Sequence, residues 1–160
     1  MPKGPSITLQ IGDPAPTFTA PSSGGASVSL AALRGKNVVL YFYPKDDTPG
    51  CTTEACGFRD AHEEFTRRNA VVLGVSPDPV KAHDKFTAKF RLPFTLVADT
   101  NHAIANAYGV WGEKKFMGRT YQGVHRCTFL IGPDGRITAI WPQVKPADHP
   151  AEVLAALGAG

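Results

Sequence analysis

Two cysteines five positions apart, Cys51 and Cys56, lie in the stretch Pro44-x3-Thr48-Pro49-Gly50-Cys51-x4-Cys56. An apolar run, Asn37 to Tyr43, precedes it and reads as a buried strand. The segment Cys56 to Arg68 follows and reads as a helix. Cys51 is therefore expected at a strand-to-helix turn, in or just before the first helical turn. A thiol there faces backbone N–H groups without intrahelical partners and the positive end of the helix dipole. Both favour the thiolate, which is the nucleophilic form of sulfur. The second cysteine adds a geometric condition. Five helical positions give Cα atoms roughly 8.6 Å apart, whereas a disulfide needs them within about 7 Å. On an intact helix the two sulfurs cannot bond. The spacing implies a folded dithiol and a locally opened disulfide.

The surrounding pattern supplies the elements that would hold these residues. Strands are expected at Val38–Tyr43, Val71–Ser76, Phe94–Ala98, Cys127–Ile131 and Ile137–Trp141. Helices are expected at Cys56–Arg68, Val80–Arg91, Asn101–Tyr108 and Asp148–Leu157. The last two strands flank Gly132-Pro133-Asp134-Gly135, a hairpin signal. Strands alternating with helices give a parallel sheet, and the late hairpin adds an antiparallel part. The expected architecture is α/β: a central mixed sheet with helices on both faces and an N-terminal β extension around Val28–Leu30. Pro21 to Gly25 reads as a loop, so residues 1–160 are expected to form one domain.

Composition excludes several classes. The chain has 160 residues, 42% hydrophobic and 19% charged, with a net charge of +3 and no cationic run that suits nucleic acid. No apolar run approaches a membrane span. Met1 to Ser6 lead into no hydrophobic signal segment, so a cytoplasmic location is expected. In a reducing compartment, closely spaced cysteines point to catalysis or metal rather than to structural bridges. A metal site would need Cys51 and Cys56 joined by His62, His125 or Cys127, and the second ligand pair typical of zinc is missing. No metal or cofactor is expected. His83, His102 and His149 show no partner pattern and read as surface residues. Asp46 and Asp47 read as a solvated turn. Thr48 before Pro49 could cap the helix or serve the sulfur.

Pro44-x3-Thr48-x2-Cys51 resembles the active-site signature of peroxiredoxins, thiol peroxidases with a thioredoxin-like fold. Gly12 to Pro16, Tyr108 to Gly112 and Arg126-x-Thr128 to Gly135 resemble further blocks of that family, so the similarity spans nearly the whole chain. Cys56 resembles the resolving cysteine of the bacterioferritin-comigratory, or PrxQ, branch. The resemblance implies that Cys51 attacks a hydroperoxide, hydrogen peroxide or organic, and becomes a sulfenic acid. Cys56 then closes an intrasubunit disulfide, and thioredoxin or a similar dithiol reduces it. It further implies that Arg126 lies beside Cys51 and that the Thr48 hydroxyl meets thiolate and peroxide. The N–H groups of Gly50 and Cys51 would bind substrate, and Pro44 would shield the sulfur. A monomer is expected. Cys127 departs from the family pattern. It follows Arg126 on a strand, so it should face the opposite layer. The alternative is a thiol–disulfide oxidoreductase of a related fold, whose C-x-x-C spacing is absent.

Overall fold

The structure, a computed structural model, describes residues 7–157. Residues 1–6, on which the expectation about a signal segment rests, lie outside the described residues. The sheet is built on β3 (Asn37–Phe42), β4 (Ala70–Ser76), β5 (Thr95–Ala98), β8 (Cys127–Ile131) and β9 (Ile137–Trp141), in the order β5-β4-β3-β8-β9. β3, β4 and β5 run parallel, and β8 and β9 join antiparallel. This is the expected mixed sheet.

β3 explains the layering. Its period of two sends Val38, Leu40 and Phe42 to one face and Val39 and Tyr41 to the other, where Tyr43 continues the alternation. The Val39–Tyr41 face is covered by α1 (Pro49–Asp60), α2 (His62–Arg67), α3 (Val80–Phe90) and α5 (His149–Leu157), through Phe58, Phe65, Phe86 and Val153. The opposite face is covered by α4 (Ala103–Tyr108) and by N-terminal residues including Ala15 and Leu30. The N-terminal extension is a short hairpin of β1 (Thr19–Pro21) and β2 (Ser27–Ser29). Among the described residues no helix is long and apolar enough to cross a membrane.

Two expectations need correction. The helix assigned to Cys56–Arg68 starts at Pro49, because Thr48 is extended and Pro49 supplies a preset φ at the first helical position. It breaks at Ala61 (φ −96°, ψ 7°) before α2 begins. The second correction is a hairpin that the sequence reading did not contain, β6 (Trp111–Phe116) with β7 (Arg119–Val124). Its two-residue turn, Met117-Gly118, has positive φ at both positions, 51° and 79°. Met at the first of them hides the usual Asn-Gly or Asp-Gly signal.

Candidate active site

β3 delivers the chain to the site. Tyr43 follows its end, the loop 44–48 turns, and α1 starts with Cys51 in its first turn. Cys51 is buried (1% exposed), Cys56 is half-buried, and both are free thiols. α1 is continuous across both cysteines, so helix geometry keeps them too far apart to bond. The first-turn N–H groups have no intrahelical acceptor. The Thr48 side chain accepts none of them, and its hydroxyl donates to Lys45 O at 2.9 Å. The capping alternative for Thr48 is thus not realised. Pro44 is half-buried beside the buried Tyr43.

Arg126 reaches this turn by register. β8 runs antiparallel to β3 with Cys127 opposite Phe42, so the residue before Cys127 lies beside the end of β3. Arg126 Nη2 is 3.3 Å from Cys51 Sγ, and Nη1 donates to Glu54 Oε1 at 2.8 Å. Burial works against this cation, but Cys51 and Glu54 hold its pKa above the ordinary value. Gly50 leaves room for this approach, since a Cβ there would make a tight 3.1 Å contact with Arg126 Nη2.

Cys127 points the other way, as alternation requires. It is 0% exposed, packs in the opposite layer with Phe42 and Phe129, and has Pro142 O 3.4 Å from its sulfur. Burial pushes its thiol up to about 12. Among the described residues, no three His, Cys, Asp or Glu side chains group as a metal site. His125 Nε2 instead faces Glu113 O at 3.0 Å.

The sequence reading missed Glu54 and a buried network behind the loop. Glu54 is 0% exposed, and burial pushes it up to about 7 against the pull of Arg126. Its signal was the three-residue spacing from Cys51, which puts both on one helix face. The histidine and aspartate expectations also need correction. His83 is fully buried, with Nδ1 2.7 Å from Asp46 Oδ2 and Nε2 3.0 Å from Val97 O. A carbonyl only accepts, so Nε2 carries a proton. The Tyr43 hydroxyl donates to Asp46 Oδ1, and Asp46 N donates to Asp78 Oδ2 at 2.7 Å. Asp46 is therefore an anchor of the active-site loop, while Asp47 pairs at the surface with Lys89. His149 is also buried, with Nε2 2.7 Å from Thr128 Oγ1. His102 stacks on Trp111 with ring centroids 3.7 Å apart.

Comparison with known proteins agrees with this geometry. Residues 11–140 match the AhpC/TSA family. The chain is 50% identical over 151 residues to a putative peroxiredoxin bcp of Coxiella burnetii, covering 94% of this chain and 100% of that relative. It is equally 50% identical over 151 residues to peroxiredoxin Bcp of Bacillus subtilis, covering 94% and 96%. A structure of Xanthomonas campestris bacterioferritin comigratory protein, described for its alkyl peroxide reduction activity, matches with a TM-score of 0.86. That pair is 43% identical over 96% of this chain and 98% of the other. The thioredoxin-like fold follows from the same matches. The chain belongs to the AhpC/TSA family and, within it, to the peroxiredoxins of the bacterioferritin-comigratory or PrxQ group, which are thiol peroxidases.

Proposed function

We propose that residues 1–160 act as one thioredoxin-like peroxiredoxin domain that reduces hydrogen peroxide and organic hydroperoxides at Cys51. The observation that carries the assignment of the nucleophile is the Arg126 guanidinium, 3.3 Å from Cys51 Sγ at the first turn of a helix. The sulfur of a thiolate attacks one peroxide oxygen, the O–O bond breaks, and Cys51 becomes a sulfenic acid. The N–H groups of Gly50 and Cys51, the Thr48 hydroxyl and Arg126 hold the peroxide oxygens, and Pro44 limits water. Thr48 must turn its hydroxyl from Lys45 O to do so, a rotation about one side-chain bond.

Cys56 then attacks the sulfenic acid, releasing water and forming a disulfide within the chain. Because α1 is intact in the dithiol form, this step needs its first turns to open. Thioredoxin or a similar dithiol reduces the bond by exchange. Both redox cysteines lie on one helix, which supports a monomer, and a free dithiol pair suits the reducing cytoplasm. Counting free thiols before and after one equivalent of peroxide tests this reading. Two thiols should be lost, with mass mapping of a Cys51–Cys56 bond. Loss of no thiol, or a bond through Cys127, would overturn it.

A further inference from the structure

Arg126 serves two acceptors. One arm of its guanidinium meets Cys51 Sγ, and the other donates to Glu54 Oε1. Glu54 is 0% exposed, and its second oxygen, Oε2, is buried with no hydrogen-bond partner. An ionised carboxylate oxygen left unpaired in such a place is costly, while a neutral acid costs much less. Burial raises Glu54 to about 7 although Arg126 pulls it down. The other titratable groups that feel Glu54 are Tyr41 on β3 and Cys127 on β8. Burial raises both well above their ordinary values, so they stay neutral. The charges joined by hydrogen bonds at the site are therefore those of Cys51, Arg126 and Glu54, while the half-buried Lys114 on β6 also acts electrostatically on Cys51 and Arg126. With Cys51 a thiolate and Arg126 a cation, the three hydrogen-bonded groups sum to zero charge while Glu54 keeps its proton.

We propose, resting on the peroxidase reading above, that Glu54 is the proton store of the first half-reaction, protonated beside the Cys51 thiolate and ionised beside the Cys51 sulfenic acid. The sulfur lone pair forms the S–O bond, and the O–O bond breaks with its electron pair on the departing oxygen. That oxygen takes the Glu54 proton and leaves as alcohol or water. Sulfur is oxidised by two electrons and the peroxide is reduced by two. Thiolate, hydroperoxide and carboxylic acid become sulfenic acid, alcohol and carboxylate. The negative charge moves from sulfur to Glu54, where Arg126 Nη1 already binds it. The summed charge of Cys51, Arg126 and Glu54 stays zero throughout. Reduction of Cys51 back to a thiolate returns the proton to Glu54.

The test uses the full chain carrying Cys56→Ser, in which the sulfenic acid is the end of the reaction. Difference infrared spectra at pH 6, before and after one equivalent of hydrogen peroxide, should lose a protonated carboxyl band and gain carboxylate bands. The change should vanish when Glu54→Gln is added. An unchanged carboxyl region with sulfenic acid formed would overturn the proposal while leaving the peroxidase reading intact. The second measurement varies the leaving group. Glu54→Gln should slow sulfenic acid formation by an alkyl hydroperoxide about a hundredfold, because an alkoxide needs a proton. A peracid expels a stable carboxylate, so its rate should change by less than about threefold. Equal slowing with both oxidants would assign Glu54 a purely structural part and defeat the proposal.

Discussion

At the residue scale, the three cysteines owe their different chemistry to position. Cys51 stands at a helix N-terminus against a guanidinium, and Cys127 faces an apolar layer that pushes its thiol up to about 12. Cys51→Ser should therefore abolish peroxide turnover, since a hydroxyl in its place is not ionised at neutral pH. Cys127→Ser should retain turnover and lose about 1–3 kcal/mol of stability, because it buries a hydroxyl in an apolar layer. Steady-state peroxidase assays and denaturant melts of both variants decide this. Glu54 gives a pH-dependent stability. Its folded value of about 7 lies above the 4.5 of the open chain, so the folded state holds a proton that the unfolded state releases. The stabilisation is full below about pH 4.5 and declines as pH rises through about 7, by on the order of 3 kcal/mol. Urea melts of the reduced protein should show this decline, and Glu54→Gln should flatten it. The sulfurs could be placed from sequence because helix starts are a local rule, whereas Arg126 beside Cys51 was implied only by the family resemblance, since that contact joins residues 75 positions apart. Glu54 had only its three-residue spacing from Cys51 to mark it, and its burial was not legible, since a glutamate on a helix is ordinarily solvated. His83 carried a readable signal: it precedes Phe86 by three positions and so shares the apolar face of α3.

At the element scale, the proposed Cys51–Cys56 disulfide requires α1 to be both precise and able to open. Its buried side is fastened by Ala55 and Phe58, both 0% exposed, and by Arg59 Nη1 donating to Phe90 O at 2.9 Å. Gly57 lets α5 pack closely, since a Cβ there would come within 2.8 Å of Pro150 Cγ. The loop before α1 is tied by Asp46 to His83 on α3 and to Asp78. On the proposed route, that tie should hold the loop in place while the helix unwinds. Opening one or two turns forfeits a few backbone hydrogen bonds at about 1 kcal/mol each, plus the contacts of those turns. A minor open state of this cost is reachable, and the disulfide traps it. Amide exchange over Thr52 to Phe58 should be slow in the dithiol form and fast in the disulfide form. Equal protection in the two forms would rule out this route. The strands and most helices were legible from apolar periodicity. The β6–β7 hairpin was not, because its β7 residues are mostly exposed and offer little period-two contrast.

At the scale of the whole molecule, two apolar layers share one sheet. Every residue of β3 but the first is buried, and its side chains alternate between the layers. Neither layer can lose its contacts without exposing the backs of the same strands, so both should unfold together. The two tryptophans make this measurable. Trp111 packs against the layer containing Phe42 and Cys127, and Trp141 against the layer containing Cys51 and Phe58. Trp141→Phe leaves a reporter for the first layer, and Trp111→Phe leaves one for the second. Each variant should give a single urea transition by fluorescence that coincides with its loss of far-ultraviolet circular dichroism. Separate transitions for the two reporters would mean two folding units and would defeat the one-domain reading. The same melts test the monomer. A dimer that is coupled to folding gains stability with protein concentration, whereas a monomer does not. Large exposed apolar side chains include Ile11, Met117 and Tyr121, with Met117 and Tyr121 on or beside the β6–β7 hairpin, which makes that hairpin a surface to test for self-association. A midpoint that stays fixed over a hundredfold range of concentration is expected. A midpoint that rises with concentration and is returned to a constant value by Met117→Ser with Tyr121→Ser would place a dimer contact on that hairpin.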